Sequence, residues 1–189
     1  MALTTGFPLL DSLISEDKIV EFYSLDRELL TLFYHRVIAV SSPVQVVLVG
    51  ERGGLDPNMV ERFQRIYGVT GEIRVRRAFK VEDVSQVLKV VRGEAVIVDP
   101  YQHRKCYSNI VKYLRLDGSR KYIFSFMDRE REGSLFGAHS AGSILKLSRT
   151  KGGFKVEIIK SVTLGRLEIP FATWEIFGRS ESGLIRWII

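Results

Sequence analysis

The stretch that decides the fold is residues 18–50, KIVEFYSLDRELLTLFYHRVIAVSSPVQVVLVG, because it predicts a strand, a helix and a second strand. KIVEFY and Val44–Val49 (VQVVLV) are apolar runs of strand length. Between them Asp26 is a typical N-cap residue. It precedes apolar residues that recur near the 3.6-residue helical period, namely Leu29, Leu32, Phe33 and Val37. This order predicts a right-handed βαβ unit and a parallel sheet.

The same alternation continues outward from this stretch as far as residue 127. Asp56-Pro57 indicates a helix start, with the aspartate as N-cap and the proline in the first turn, and Gly68 indicates its end. Three more strands are predicted, at residues 72–77, 95–98 and 121–127, and helical patterns separate them. Continuous apolar strands, such as AVIV at residues 95–98, favour a parallel sheet covered on both faces.

The pattern changes beyond residue 127. Residues 128–142 (DREREGSLFGAHSAG) are charged and rich in glycine, and we expect most of them to form a loop. Short strands are predicted beyond it, at residues 143–148, 154–160, 167–171, 174–177 and 184–188. Their close spacing predicts antiparallel additions to one edge of the parallel sheet. We therefore expect one α/β domain that spans residues 1–189.

Composition narrows the class of protein. Hydrophobic residues make up 46% of the 189 and charged residues 26%, which is typical of a globular domain. No apolar run approaches the roughly 18 residues of a membrane span, and residues 1–10 lack the basic start of a secretory signal, so we expect a cytoplasmic protein with no membrane partner. A net charge of +6 favours a polyanionic partner.

Cysteine and histidine give no support for metal chemistry. The single cysteine, Cys106, excludes a disulfide framework and a cysteine-based zinc site. His35 lies in a predicted helix, where we expect it to be packed. Neither His103 nor His139 has a second histidine or a carboxylate at ligand spacing. We therefore expect no metal and no cofactor.

The order of the elements resembles the ATPase core of the RecA/RadA recombinase family, in particular archaeal RadA paralogues. Thr5-Gly6 with Leu10-Asp11 resembles the family's opening motif, and residues 95–99 resemble a Walker B strand that ends in Asp99. Residues 139–147 (HSAGSILKL) resemble the strand after the family's second DNA-binding loop. The resemblance runs nearly from end to end and implies a RecA-like three-layer αβα core.

The chain departs from that family where the phosphate loop belongs. Such a loop requires G-x-x-x-x-G-K-[ST], in which backbone N–H groups and a lysine surround the phosphates. Residues 24–31 are SLDRELLT, with no glycine and no lysine, and Asp26 and Glu28 bring negative charge. We therefore expect no catalytic or nucleotide-binding residue. Asp99 and Glu51, which resemble the family's Mg²⁺-orienting and water-activating carboxylates, are then vestigial.

Basic residues follow the last parallel strand. Arg129 and Arg131 lie in the segment that matches the family's inner DNA-binding loop, and Lys146 and Arg149 flank the hairpin beyond it. Arginine suits phosphate contacts, so these four are the candidate nucleic-acid-binding residues, with single-stranded DNA as the partner. Glu130 and Glu132 alternate with the two arginines, which is also typical of a self-paired charged loop.

Three hypotheses of function remain open. The first is a non-catalytic module similar to RecA/RadA paralogues, which binds DNA, an active RecA/RadA-family protein or a second copy of itself in recombination or repair. The second is an ATPase with a remodelled phosphate site, in which Arg27 and Thr31 replace the missing lysine and threonine. The third is a protein-interaction scaffold with no nucleic-acid role.

Overall fold

The computed structural model describes residues 2–50, 54–100, 107–129, 135–163 and 165–178. The helices are α1 (Pro8–Leu13), α2 (Arg27–Val40), α3 (Pro57–Tyr67), α4 (Val81–Val90), α5 (Tyr107–Arg115), α6 (Leu135–Ser140) and a 3₁₀ helix at Thr173–Phe177. The strands are β1 (Ile19–Ser24), β2 (Val44–Val49), β3 (Ile73–Ala78), β4 (Ala95–Val98), β5 (Lys121–Phe126), β6 (Ser143–Thr150), β7 (Gly153–Lys160) and β8 (Leu167–Ala172).

All eight strands form one sheet, in the order β3-β2-β4-β5-β1-β6-β7-β8. The first six in that order are parallel, β7 pairs antiparallel with β6, and β8 pairs antiparallel with β7. On one face α1, α2, α3 and the 3₁₀ helix pack into an apolar cluster with the sheet. On the other face α4 and α5 form a second cluster. This confirms the predicted three-layer αβα core with antiparallel C-terminal strands.

The local signals for helix ends are confirmed. The Asp26 and Asp56 side chains accept the backbone N–H groups of Leu29 and Asn58 at the starts of α2 and α3. Gly68 ends α3 with φ +62°, a left-handed conformation that glycine adopts without steric cost. Of the described helices, none has the length and hydropathy that a membrane crossing requires.

Two expectations about the C-terminal third are wrong. β6 (Ser143–Thr150) pairs with β1 in parallel, not antiparallel. The segment between Phe126 and Ser143 is long enough for the crossover that a parallel partner needs, and its described residues include the short helix α6. Residues 174–177 belong to the 3₁₀ helix instead of a strand. The strand predicted at residues 184–188 lies outside the described residues.

Arg36 joins the N-terminal segment, α2 and the 3₁₀ helix. Its guanidinium donates to the carbonyl oxygens of Gly6 (2.6 Å) and Glu175 (2.9 Å) and lies 3.4 Å from the ring centroid of Phe7. Only 2% of Arg36 is exposed, and this burial lowers its pKa to about 10. The buried Arg36 side chain therefore has a structural role, because its contacts hold the N-terminal segment and the 3₁₀ helix against α2.

The opening motif is also structural. Thr5 donates to the Asp11 carboxylate through its backbone N–H (2.7 Å) and through its hydroxyl (2.8 Å). These bonds fold the N-terminal segment back over α1 and place Gly6 against Arg36. The φ of Gly6 is +72°, so glycine is required at this close approach.

Candidate functional site

Parallel strands end side by side at one edge of the sheet. Ser24 of β1 lies opposite Phe126 of β5 and Leu147 of β6, and Val98 of β4 lies opposite Phe124. Open α/β sheets bind their ligands at the carboxyl ends of the strands. The candidate residues at or just beyond these ends are Asp26, Asp99, Arg129 and Arg149.

The turn between β1 and α2 is very short. Only Leu25 and Asp26 separate the two elements. The Asp26 carboxylate accepts the N–H of Leu29 at 2.9 Å, and its own N–H donates to the Ser24 hydroxyl at 3.0 Å. The carboxylate therefore lies at the α2 N-terminus, where the helix dipole favours an anion.

Arg149 of β6 binds the same carboxylate. Its Nε lies 2.6 Å from Asp26 Oδ2, and its Nη2 lies 3.3 Å from Asp26 Oδ1 and 3.5 Å from Glu28 Oε2. The hydrogen bond from Arg149 holds the pKa of Asp26 below its usual value, and in return raises the pKa of Arg149. An ionised side chain of the protein itself thus fills the place where a helix N-terminus would bind a phosphate.

A cavity of about 300 Å³ lies behind this turn, between α2 and the ends of β2 and β4. Its polar side chains come from Arg27, Thr31, Tyr34, His35, Asp56 and Asp99. The four from α2 share one face of the helix, because they follow the i, i+4, i+7, i+8 spacing. The volume is at the lower end of the range for small-molecule pockets, roughly 300–1,000 Å³.

His35 holds the wall of this cavity in place. Its Nε2 accepts the backbone N–H of Asp56 at 2.7 Å, so its Nδ1 carries the proton that is donated to the Thr31 carbonyl at 2.7 Å. Burial lowers the pKa of His35, which disfavours the charged form of the imidazole. This confirms the expected packed histidine, because each ring nitrogen is hydrogen-bonded to a backbone group.

Asp99 keeps an unusual backbone at the end of β4. Its φ is +52°, a left-handed conformation that is uncommon outside glycine and clusters at functional sites. Its N–H donates to the Phe124 carbonyl at 2.8 Å, and its carboxylate accepts the N–H of Phe126 at 2.9 Å. Burial raises the pKa of Tyr34 across the cavity, and the charge of Asp99 adds to this rise.

Three of the four candidate nucleic-acid-binding residues, Arg129, Lys146 and Arg149, lie among the described residues. Arg129 is exposed just beyond β5, with its Nε 4.0 Å from the Asp128 carboxylate. Lys146 and Arg149 are three residues apart on β6, so their side chains point to opposite faces of the sheet. Arg131 lies outside the described residues, as do Glu51, His103 and Cys106.

The end of the segment that resembles the inner DNA-binding loop is anchored. Arg115 donates to the carbonyls of His139 (3.3 Å) and Ser140 (3.2 Å) at the end of α6. Lys160 donates to those of Ala138 (2.9 Å) and Ala141 (2.7 Å). Four carbonyls at this helix end are therefore bound by two cations, which fixes where the segment rejoins the sheet.

Sequence reasoning missed part of this site. The sequence predicts a packed His35 and offers Arg27 only as a replacement for the missing lysine, and it gives no role to Tyr34. A signal was present in the spacing of Arg27, Thr31, Tyr34 and His35 along one helix face. The partner of that face, Asp99, is distant in sequence, so the cavity itself could not be inferred.

Two solved structures share this architecture. One is the RadB recombinase, with a TM-score of 0.64 and 16% identity over 90% of this chain and 95% of that chain. The other is a KaiC-like protein from the hyperthermophilic archaeon Pyrococcus horikoshii OT3, with a TM-score of 0.59 and 18% identity over 90% and 94%. No protein-family model and no curated protein matches the sequence.

The class that fold and strand order define is a RecA/RadA-like α/β core. Within that class, the chain is similar to the RadB recombinase and the KaiC-like protein over nearly its whole length. At this level of identity the likeness establishes the fold, and function has to be argued from the site.

Proposed function

We propose that this chain is a RecA-like module that does not hydrolyse ATP and works by binding a partner. The observation that supports the proposal is the turn between β1 and α2. Two residues connect the elements, and the Asp26 carboxylate, paired with Arg149, already occupies the α2 N-terminus. A nucleotide phosphate would have to displace this carboxylate to reach the same N–H groups.

Charge argues in the same direction. A phosphate loop supplies a lysine and several successive N–H groups, which together neutralise the β- and γ-phosphates. Here Asp26 and Glu28 face the same space, and Arg149 offsets one of their two charges. These three groups together carry one net negative charge, which disfavours a triphosphate at this helix end, although Arg27 of the same turn lines the cavity behind it. In this proposal Asp99 and Glu51 are vestigial carboxylates.

A second candidate, an ATPase with a remodelled phosphate site, is favoured by the cavity, which brings Arg27, Thr31 and Asp99 together. Phosphate release from Mg-ATP, with and without single-stranded DNA, separates the two. The non-catalytic proposal expects background release. Release that exceeds background and disappears in Asp99→Ala would establish the second candidate instead.

The proposed partner is single-stranded DNA at the carboxyl edge of the sheet. Arg129 and Arg131 precede the anchored helix α6, and Arg129 is 77% exposed. Lys146 and Arg149 contribute less in this proposal. Arg149 would have to leave the Asp26 carboxylate before it could bind a phosphate. Lys146 lies on the face of the sheet opposite to Arg149. The likeness to a recombinase extends the proposal to an active RecA/RadA-family protein or a second copy as protein partner, in recombination or repair.

The salt dependence of DNA binding tests this assignment. Each phosphate neutralised on a single strand contributes about 0.7 to the log–log salt slope, so Arg129→Ala with Arg131→Ala should flatten it by about 1.4. The matched control is Arg74→Ala with Arg92→Ala. It removes two exposed arginines near the amino ends of β3 and β4 and should leave the slope unchanged. Fluorescent oligonucleotide titrations at several salt concentrations give both slopes.

Two results would overturn the DNA assignment. One is the absence of binding at low salt, and the other is an equal slope in wild type and the Arg129/Arg131 variant. Either result, together with background phosphate release from Mg-ATP, would favour a protein-interaction scaffold. The two assays are independent, so failure of the DNA assignment leaves the non-catalytic proposal in place.

A further inference from the structure

The cavity between α2 and the ends of β2 and β4 contains a cation that the protein does not use for its own hydrogen bonding. The Arg27 guanidinium lies 4.0 Å from the ring centroid of Phe126. Within the parts of the chain that the structure describes, it makes neither a hydrogen bond nor an ion pair. A guanidinium has five N–H donors and no acceptor, so Arg27 offers a cationic donor group to an anionic ligand.

Two hydroxyl groups of α2 add a further donor to the same cavity. Tyr34 is only 5% exposed, and its hydroxyl is hydrogen-bonded to the side chain of Thr31. Two hydroxyls carry two hydrogens and use one of them between themselves. Neither has another hydrogen-bond partner among the described residues, so the second hydrogen faces the cavity without an acceptor. A buried donor without an acceptor is costly, and an oxygen of a ligand would remove that cost.

A carboxylate lines the same cavity at the end of β4. Asp99 accepts the N–H of Phe126, which occupies one of about four lone-pair sites on a carboxylate. Arg27 and Asp99 form no ion pair with each other, although both line the cavity. A positive and a negative group that do not neutralise each other suit a ligand that carries both charges.

The remaining lining limits the size and the charge of the ligand. The volume of about 300 Å³ is at the lower end of the range for small-molecule pockets, so the ligand is small. Asp56 and Asp99 supply two carboxylates against the one cation of Arg27, which disfavours a polyanion but not a zwitterion. The apolar walls come from aliphatic side chains, including Leu30, Leu48, Leu55 and Val98.

We propose that this cavity binds a free α-amino acid with an aliphatic side chain. The ligand carboxylate lies against Arg27 and the hydroxyl pair of Thr31 and Tyr34, and its ammonium group lies against Asp99. Its side chain packs against the leucine and valine walls. An arginine binds a carboxylate through two parallel hydrogen bonds, which fixes the orientation of the ligand. This site goes beyond the proposed function, which requires no small ligand, and does not depend on it.

Amide resonances of the full, ¹⁵N-labelled chain test the proposal. L-leucine is added to about 10 mM, ten times the upper end of usual KM values. The expected result is a saturable shift of the amides of Thr31, Tyr34 and Val98, which line the cavity. Amides of β8, far across the sheet, should not shift. The same spectra show whether each variant below is folded.

Two substitutions on α2 test the carboxylate contacts. Arg27→Met should weaken L-leucine binding by about 10- to 100-fold, because it removes hydrogen bonds between two charged groups. Tyr34→Phe removes one neutral donor and should weaken binding by about 3- to 10-fold. The matched controls are Arg62→Met and Tyr67→Phe on α3, which remove the same groups outside the cavity and should leave the affinity unchanged.

Asp99→Asn tests the ammonium contact. Asparagine keeps an acceptor for the Phe126 N–H and tolerates the left-handed backbone at φ +52°. The variant should bind L-leucine about 10-fold more weakly, because a charged acceptor becomes neutral. The second probe is 4-methylpentanoate, which is leucine without its amino group. It should bind the variant at least as well as the unaltered chain.

Three results would overturn the proposal. One is the absence of a saturable shift with L-leucine in the unaltered chain. Another is an equal affinity for L-leucine in Asp99→Asn and the unaltered chain, which would exclude the ammonium contact. The third is a saturable shift of the same amides with Mg-ATP that prevents the shift with L-leucine, which would assign the cavity to a nucleotide.

Discussion

Each half of α2 is bound by an arginine, and the two arginines differ in exposure to solvent. Arg36, in the C-terminal half, is 2% exposed and donates to two backbone carbonyls. Arg149 reaches the N-terminal end from β6, and its side chain is 57% exposed. A buried clamp is expensive to break, whereas an exposed ion pair exchanges partners at little cost. Stability therefore concentrates at one end of the helix, and the candidate site lies at the other.

The largest expected effect breaks the buried end. Arg36→Met leaves the carbonyls of Gly6 and Glu175 without their donor and should lower the free energy of unfolding by about 3 kcal/mol. Arg149→Met removes an exposed pair and should cost about 1 kcal/mol or less. Urea denaturation of both variants measures the difference. Equal losses would contradict the contrast between the two ends.

The next largest effect is expected at the N-terminal end of α2, where Asp26 and Arg149 form an ion pair. Asp26→Ala removes a helix cap and an ion pair and should cost about 1–2 kcal/mol near neutral pH. The Asp26→Ala and Arg149→Met losses should not add in the double variant, because both remove the same pair. Asp56→Ala, which removes the equivalent cap of α3, is the control and should add independently to Arg149→Met. Additive losses for the first pair would mean that Asp26 and Arg149 do not interact.

Acid should erase the Asp26 effect. The pKa of Asp26 in the folded chain is below its ordinary value of 3.8, mainly through the bond with Arg149. A depressed carboxyl pKa stabilises the fold above the unfolded value, and this contribution disappears as pH falls through the folded value. The stability difference between wild type and Asp26→Ala should therefore shrink below pH 3.8. A difference that stays constant there would contradict the ion pair.

The last effect concerns His35, which lies between the two ends of α2. Burial lowers the pKa of His35, so below its ordinary value of 6.5 the unfolded chain binds a proton that the folded chain does not. Stability should then fall as the pH decreases below 6.5, because the unfolded chain gains a proton that burial disfavours in the folded chain. His35→Gln should show a flatter stability profile from pH 7 to 5. Parallel profiles for the two proteins would mean that His35 titrates normally.

Local signals in the sequence predicted the elements that depend on neighbouring residues. Asp26 and Asp56 cap their helices, Gly68 ends α3, and the apolar strands are buried on both faces, as predicted. The direction of β6 was wrong because close spacing suggested hairpins, whereas the chain inserts the short helix α6 and crosses over. Glycine and serine in that segment concealed a helix that is held by tertiary bonds from Arg115 and Lys160.

The candidate site was less predictable because its contacts are distant in sequence. Arg149 was chosen for phosphate binding on residue type, and its bond to Asp26 spans 123 positions. The left-handed backbone of Asp99 and the cavity beside it depend on β4, β5 and α2 together. Arg36 shows the same limit: an arginine on an apolar helix gave no sign of two carbonyl acceptors at opposite ends of the chain.

The central claim is that the α2 N-terminus is already bound by the protein's own carboxylate and does not take a nucleotide phosphate. The most direct measurement is the amide resonance of Leu29, whose N–H donates to Asp26, followed in ¹⁵N-labelled protein as Mg-ATP is added to about 1 mM, the upper end of usual KM values. We predict no saturable shift of that resonance. A saturable Leu29 shift that is lost in Asp99→Ala would contradict the claim and establish a nucleotide site.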